Sequence, residues 1–323
     1  MIRPPMKLVT YDRGGARRLG AWVAGTVVDL PDAVGHPAFP TTMEALVARH
    51  GGTTLDAART AIADPDLVAG CSVERARLLV PILPASLRDF DAFATGRHAG
   101  QPGGRRPDRV PTFPPYSKGN HRSVLGPGEE LAWPAFTRAL DYELEVACVV
   151  GGAGRDVRPE DARAMIFGYT IMNDWSARDL RRDELAACLG PGKSTDFATS
   201  LGPCIVTPDE FDPSAARMVA RVDGEGWSEG DLGAARWRFP QMIAHAARGE
   251  DVLPGDVYGS GAFAGGCGAD LGRRLPDGCV VDLEVEGLGV LRTRVLPRGT
   301  PPARRAPSAR RMQDRAASIA LLR

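Results

Sequence analysis

The sequence has no excess of charge of either sign: 40 Lys and Arg residues balance 40 Asp and Glu residues over 323 positions. A dedicated nucleic-acid binder carries a basic surplus or stripe, so no nucleic-acid partner is expected. Zero net charge also removes self-repulsion and leaves self-association electrostatically open. Long apolar runs are missing too; none approaches the roughly 20 residues of a membrane-spanning helix. The opening Met1-Ile2-Arg3-Pro4-Pro5 lacks the apolar core of a secretion signal, so a soluble, cytoplasmic protein with no membrane partner is expected. Cysteine and histidine are sparse. Cys71, Cys148, Cys188, Cys204, Cys267 and Cys279 form no C-x-x-C pair, which argues against a zinc ribbon or a small disulfide scaffold. Most read as small buried apolar residues, with Cys267, in a glycine-rich stretch, the candidate for an exposed thiol. The five histidines form no H-x-x-x-H pair, so any metal must be held mainly by carboxylates.

What is present supports a large core. Hydrophobic residues make up 43% and charged residues 25%, which excludes a disordered chain. At roughly 150 residues per domain the length suggests about two domains. Residues 7–11, 19–25 and 26–30 are short strand-like runs, and residues 42–47 and 55–62 have helical apolar spacing. Together they predict a small N-terminal domain over residues 1–80. Residues 101–115 form a loop rich in glycine, proline and arginine. Beyond Gly126 strand signals dominate, notably over residues 142–150, 204–207, 218–222, 279–285 and 290–295. Residues 169–172 read as a short strand broken by Asn173-Asp174, and Ser176 as the N-cap of a helix through Leu180, Leu185 and Ala187. The fold class is α+β and β-rich, with a main unit over residues 81–298 and a Pro/Arg-rich tail over residues 299–323.

Acids and apolar residues alternate in Asp141-Tyr142-Glu143-Leu144-Glu145-Val146, so as a strand it would place three carboxylates on one face. Like charges in a row repel, and a divalent cation would relieve that; oxygen ligands favour Mg²⁺, Ca²⁺ or Mn²⁺. A solvated acidic face gives the same pattern, and Asp282, Glu284 and Glu286 repeat the spacing. Asp174, at the end of an apolar strand, is placed either to reach a metal or to make a turn. Arg178, four residues later, is within reach of an anionic substrate. Asp89, Asp91 and His98 form a third cluster, in which His98 is by type the general-base candidate or a structural histidine.

The segments LDYELEVACVVG, RAMIFGYTIMNDWSARDL, LGPGKSTDFATSLGPCIVTPDE, VLPGDVYGSG and VVDLEVEGLGVLRTRV stand in the order and spacing of one family. From about residue 87 to 295 the sequence resembles the fumarylacetoacetate hydrolase (FAH) family. The resemblance implies a mixed β-roll or β-sandwich catalytic domain behind a small N-terminal β/α domain, usually homodimeric, with one Mg²⁺ (or Ca²⁺ or Mn²⁺). It implies Glu143, Glu145 and Asp174 as metal ligands and leaves Glu284 and Glu286 in a structural strand. A fourth ligand is Asp89 by the D-F-x-A-F match, or Asp91 by its seven-residue interval to His98; Asp89 is preferred. Lys193 matches the active-site lysine, Arg178 a substrate-orienting arginine and Tyr116 a substrate-contacting tyrosine. Three positions depart from the family. Ala262 ends a turn that usually reads S-G-T, Asp270 replaces the glutamate that orients the histidine, and Arg181, a substrate-binding candidate, replaces a glutamine. The implied activity is hydrolysis of a carbon–carbon bond in a small β-diketo or acylpyruvate-type oxo acid, a reaction of aromatic catabolism. The metal would act as Lewis acid, His98 and Asp270 would activate water, and Lys193 and Arg178 would stabilise oxyanion and substrate carboxylate. The alternatives are decarboxylation of a 2-oxo acid, or isomerisation or hydration of an unsaturated one, through a metal-bound enolate. A non-catalytic ligand-binding protein is the third.

Overall fold

Short runs of β-branched and aromatic residues separated by glycine turns fold mainly as strands in the computed structural model, which describes residues 6–49, 51–93 and 111–301. The N-terminal part contains β1 (Lys7–Arg13), β2 (Ala16–Val23) and β3 (Thr26–Asp29), followed by α1 (Leu30–Val34), α2 (Met43–Ala48), α3 (Gly52–Ala63) and α4 (Pro65–Gly70). Thr42 caps α2 by accepting from the Ala45 N–H, and Asp29 caps α1 by accepting from Asp32. Then come β4 (Ser72–Val73), β5 (Leu78–Leu79), β6 (Leu87–Phe90), β7 (Tyr116–Gly119), β8 (Val124–Leu125) and β9 (Glu130–Ala132). The central segments are β10 (Leu140–Asp141), β11 (Leu144–Val150), α5 (Pro159–Ala162), β12 (Ile166–Asp174), β13 (Ser176–Ala177), α6 (Arg178–Ala186) and β14 (Thr199–Val206). The chain closes with β15 (Arg217–Val222), β16 (Glu225–Asp231), α7 (Phe239–Ala246), β17 (Val257–Gly259), β18 (Val280–Val285) and β19 (Gly289–Leu296).

Among the described residues one sheet of twelve strands runs β4-β3-β2-β1-β14-β12-β11-β17-β6-β7, with β5 on β1 and β8 on β14. The N-terminal strands extend this sheet through Lys7↔Val206 and Leu8↔Ile205. A second sheet of five strands, β16-β15-β18-β19-β9, packs over it. Leu144, Val146 and Cys148 of β11 share a core with Met218, Ala220, Leu283 and Val285 of that second sheet. From the opposite face, Ala147 and Val149 pack with Phe167, Leu201 and the helix residues Met43 and Leu46. Every residue of β11 is therefore buried. Each such Leu or Val contributes roughly 1.5–3 kcal/mol, and an acid placed on this strand must find a partner.

Three local expectations change. β12 runs through Asn173-Asp174 instead of stopping before it. The Asn173 side chain accepts from the Glu143 N–H, and Asn173 and Asp174 pair with Ser200 and Thr199. Ser176 is not an N-cap: it pairs with Asp141 in β13, and α6 begins at Arg178. Cys267 is 5% exposed and burial raises its thiol pKa, whereas Cys188 is the exposed cysteine. No helix among the described residues is long and apolar enough to cross a membrane.

Candidate active site

β6, β17 and β11 lie side by side, and their registers align Asp89 with Gly259 and Gly259 with Ala147. Paired residues face the same way, so Asp89 looks along the face that carries Glu145, with only a glycine between. A Cβ on Gly259 would lie 2.8 Å from Glu145 Oε2, so the missing side chain leaves room for that carboxylate. The Gly261 N–H donates to Glu145 Oε2 at 2.9 Å and fixes that carboxylate. Asp89, Glu143 and Glu145 each bring a carboxylate oxygen within 4.8 Å of the others. All three residues are buried, to 3%, 1% and 0% exposure. Three buried negative charges at this spacing are prohibitive without compensation. An all-oxygen set of carboxylates suits a hard divalent cation, so the residues present fit such an ion.

Two arginines border the triad. Arg178 Nη1 and Arg181 Nη1 donate to Glu143 Oε1 at 2.7 and 2.8 Å, and Ser176 Oγ lies 3.2 Å from the same oxygen. Arg178 Nε donates to Asp141 Oδ2 at 2.8 Å, while its buried Nη2 has no hydrogen-bond partner among the described residues. Asp141 also accepts from the Gly268 and Ala269 N–H groups at 2.9 and 3.0 Å. Its carboxylate therefore ties the 265–272 loop to Arg178 instead of joining Glu143 and Glu145. The alternation expected over residues 141–145 is interrupted, because β10 ends at Asp141 and β11 starts at Leu144.

The C-terminal-domain model of fumarylacetoacetate (FAA) hydrolase matches residues 91–296. The chain belongs to the fumarylacetoacetate hydrolase family. It is 29% identical over 321 residues to oxaloacetate tautomerase FAHD2A, mitochondrial, of Homo sapiens, covering 92% of this chain and 88% of that one. Over 186 residues it is 30% identical to oxaloacetate tautomerase YisK of Bacillus subtilis (strain 168), covering 57% of this chain and 60% of that one. The solved fumarylacetoacetate hydrolase of psychrophilic Exiguobacterium antarcticum superposes with a TM-score of 0.70 at 27% identity, covering 91% of this chain and all of that chain, 100%. The β-rich α+β class expected from sequence is the FAH fold observed, and the chain is an enzyme of this superfamily.

Within this FAH-family chain the other expected site residues lie as follows. Asp174 pairs with Thr199, whose hydroxyl donates to it at 3.3 Å. Continuing the β11–β12 register puts Asp174 opposite Glu143, on the triad's face, but it is not one of the three converging acids. Asp89, not Asp91, supplies the oxygen that joins the glutamates. Tyr116 is not brought to them. It pairs with Phe90, whose ring is 5.0 Å away, and strand alternation turns both away from Asp89. Arg181, read as substrate-binding, is 2% exposed and serves Glu143. Lys193 is exposed, with Nζ 5.9 Å from the Phe136 ring centroid. Asp270 Oδ2 accepts from the Gly265 N–H at 3.0 Å within its own loop, and His98 lies outside the described residues. Sequence reasoning gave no site role to Gly259, Gly261, Ser176 or Asn173. Only the glycine of VYGSG carried a signal, as a break inside an apolar strand.

Proposed function

We propose that this chain is a divalent-cation-dependent enzyme that interconverts the enol and keto forms of a small 2-oxo dicarboxylic acid. The buried triad of Asp89, Glu143 and Glu145, with Arg178 Nη2 beside it, carries this reading. Its relatives named as oxaloacetate tautomerases support the reaction class. A divalent ion held by the triad would supply Lewis acidity to the oxo group and acidify the neighbouring C–H. Arg178 would pair with a substrate carboxylate through Nη2, a charge-assisted contact in a dry setting. Lys193 would place its ammonium where the enolate oxygen gains charge. His98 would carry the proton to or from carbon, and Asp174 would extend the acidic face. Carbon–carbon hydrolysis is the second reading. It needs water activated by His98, with Asp270 orienting the histidine; the tautomerase names of the relatives favour the first reading. We further propose a homodimer.

The test uses the purified full chain with Mg²⁺. Enolic oxaloacetate is followed by loss of its ultraviolet absorbance, and products from oxaloacetate, acylpyruvates and fumarylacetoacetate are identified by mass. Faster ketonisation with oxaloacetate intact is the expected result. Two acids from one substrate establish hydrolysis instead, and CO₂ establishes decarboxylation. Absence of turnover across the panel overturns the enzymatic reading of this site.

A further inference from the structure

Glu143 Oε1 is crowded by donors. It meets Arg178 Nη1 at 2.7 Å, Arg181 Nη1 at 2.8 Å and Ser176 Oγ at 3.2 Å. A carboxylate oxygen has two lone pairs, and three donors leave none directed at a cation. Arg181 is 2% exposed and cannot swing into solvent. Arg181 Nη1 also reaches Ser176 Oγ at 3.1 Å, so the two residues form one clamp on that oxygen. Ca²⁺ takes six to eight oxygens and binds carboxylates through one oxygen or through both, the second mode helping to fill its larger shell; Mg²⁺ takes six in octahedral order and keeps several waters.

We propose that Arg181 and Ser176 restrict Glu143 to one-oxygen ligation through Oε2, and that this selects Mg²⁺-sized cations over Ca²⁺. The inference rests on the cation reading above and deepens it. Arg181 is a positioning residue here, acting on the ion through Glu143. Its positive charge opposes every divalent ion alike, whereas its occupation of Oε1 opposes only a bidentate one. The ratio of Ca²⁺ to Mg²⁺ dissociation constants therefore isolates the geometric effect from the charge effect.

Metal-stripped full-length protein is titrated calorimetrically with MgCl₂ and CaCl₂, with thermal unfolding of each metal-free variant as the folding control. Wild type is expected to bind Mg²⁺ more tightly than Ca²⁺. Arg181→Gln is expected to lower the Ca²⁺/Mg²⁺ ratio of dissociation constants at least fivefold. Ser176→Ala, which keeps both arginines and removes only a hydroxyl, should move the ratio the same way by a smaller factor. A ratio unchanged within twofold in folded Ser176→Ala and Arg181→Gln proteins overturns the inference and leaves the cation centre standing. A wild type that binds neither ion, or a Glu143→Gln variant that binds both as well as wild type, overturns the centre itself.

Discussion

Gly259 leaves space for the Glu145 carboxylate, one of the three acids that converge. A methyl group there would contact Met172 Cε at 2.7 Å and Glu145 Oε2 at 2.8 Å. Met172 is a flexible neighbour and can yield, but Glu145 is pinned by the Gly261 N–H. Gly259→Ala should therefore cost about 1–3 kcal/mol of stability as overpacking. Its larger effect should be on the centre, lowering cation affinity about 10–100-fold, as other disturbances next to metal ligands do. Calorimetric titration of the folded variant checks it; unchanged affinity would mean that Glu145 is not a ligand. Asp89 and Asp91 give a sharper contrast. Asp89→Asn should lose at least about 10²-fold in turnover, whereas Asp91, half-buried and outside the triad, should tolerate Asn within about twofold. Similar losses in both variants would contradict the geometry.

The two D-x-E-x-E runs show what was legible in the sequence and what was not. Spacing gives both the same alternation, yet β11 is buried on both faces while β18 alternates buried and half-buried residues. Asp282 and Glu284 are spent on surface pairs with Arg292 and Arg221, so β18 builds no centre. Burial on both faces depends on which strands flank β11, and that is a long-range fact no local pattern encodes. The side of the sheet that Tyr116 takes is long-range in the same way, since it follows from pairing with Phe90. The family motif carried the acids, Arg178 and Lys193 into view, and left their hydrogen bonds invisible. Glu184 is one such case. It accepts from Ser194 Oγ at 2.6 Å and from the Gly192 N–H at 2.9 Å, and so grips both neighbours of Lys193. Burial pushes its carboxyl pKa up, but the bonds from Ser194 and Gly192 outweigh this and hold it below the usual range. A lowered folded-state pKa stabilises above the ordinary carboxyl value, about 4.3, and the contribution fades as pH falls through the lowered value. Glu184→Ala should speed hydrogen exchange of the Gly192 and Ser194 amides about tenfold or more and lower kcat, with cation affinity unchanged. In wild type the same amides should loosen only in acid, below the ordinary carboxyl range. Unaltered exchange in Glu184→Ala would show that the loop is held by something else.

At the level of the whole chain, charge neutrality permits association, and light scattering should give twice the 34.4 kDa chain mass at micromolar concentration; a single-chain mass would refute the homodimer. The N-terminal boundary makes a stronger claim. The strand and helix pattern predicts a small N-terminal domain over residues 1–80, and β1 of that part supplies a hydrogen-bonding neighbour of β14 in the central sheet. Met43 and Leu46 of α2 share a buried cluster with Val149, Phe167 and Leu201 from β11, β12 and β14. Removing residues 1–80 would open the end of β14 at Ile205 and Val206 and strip apolar cover from β11, β12 and β14 at once. Exposed edges and apolar faces of that kind pair with other chains. A chain of residues 81–323 should therefore aggregate on expression, while the same segment co-expressed with residues 1–80 should recover in soluble form by restoring the β1–β14 pairing. Soluble, cooperatively unfolding 81–323 with cation affinity within about twofold of the full chain would establish instead that the N-terminal part is separable, and that the pairing of Lys7 with Val206 adds little to the stability of the centre.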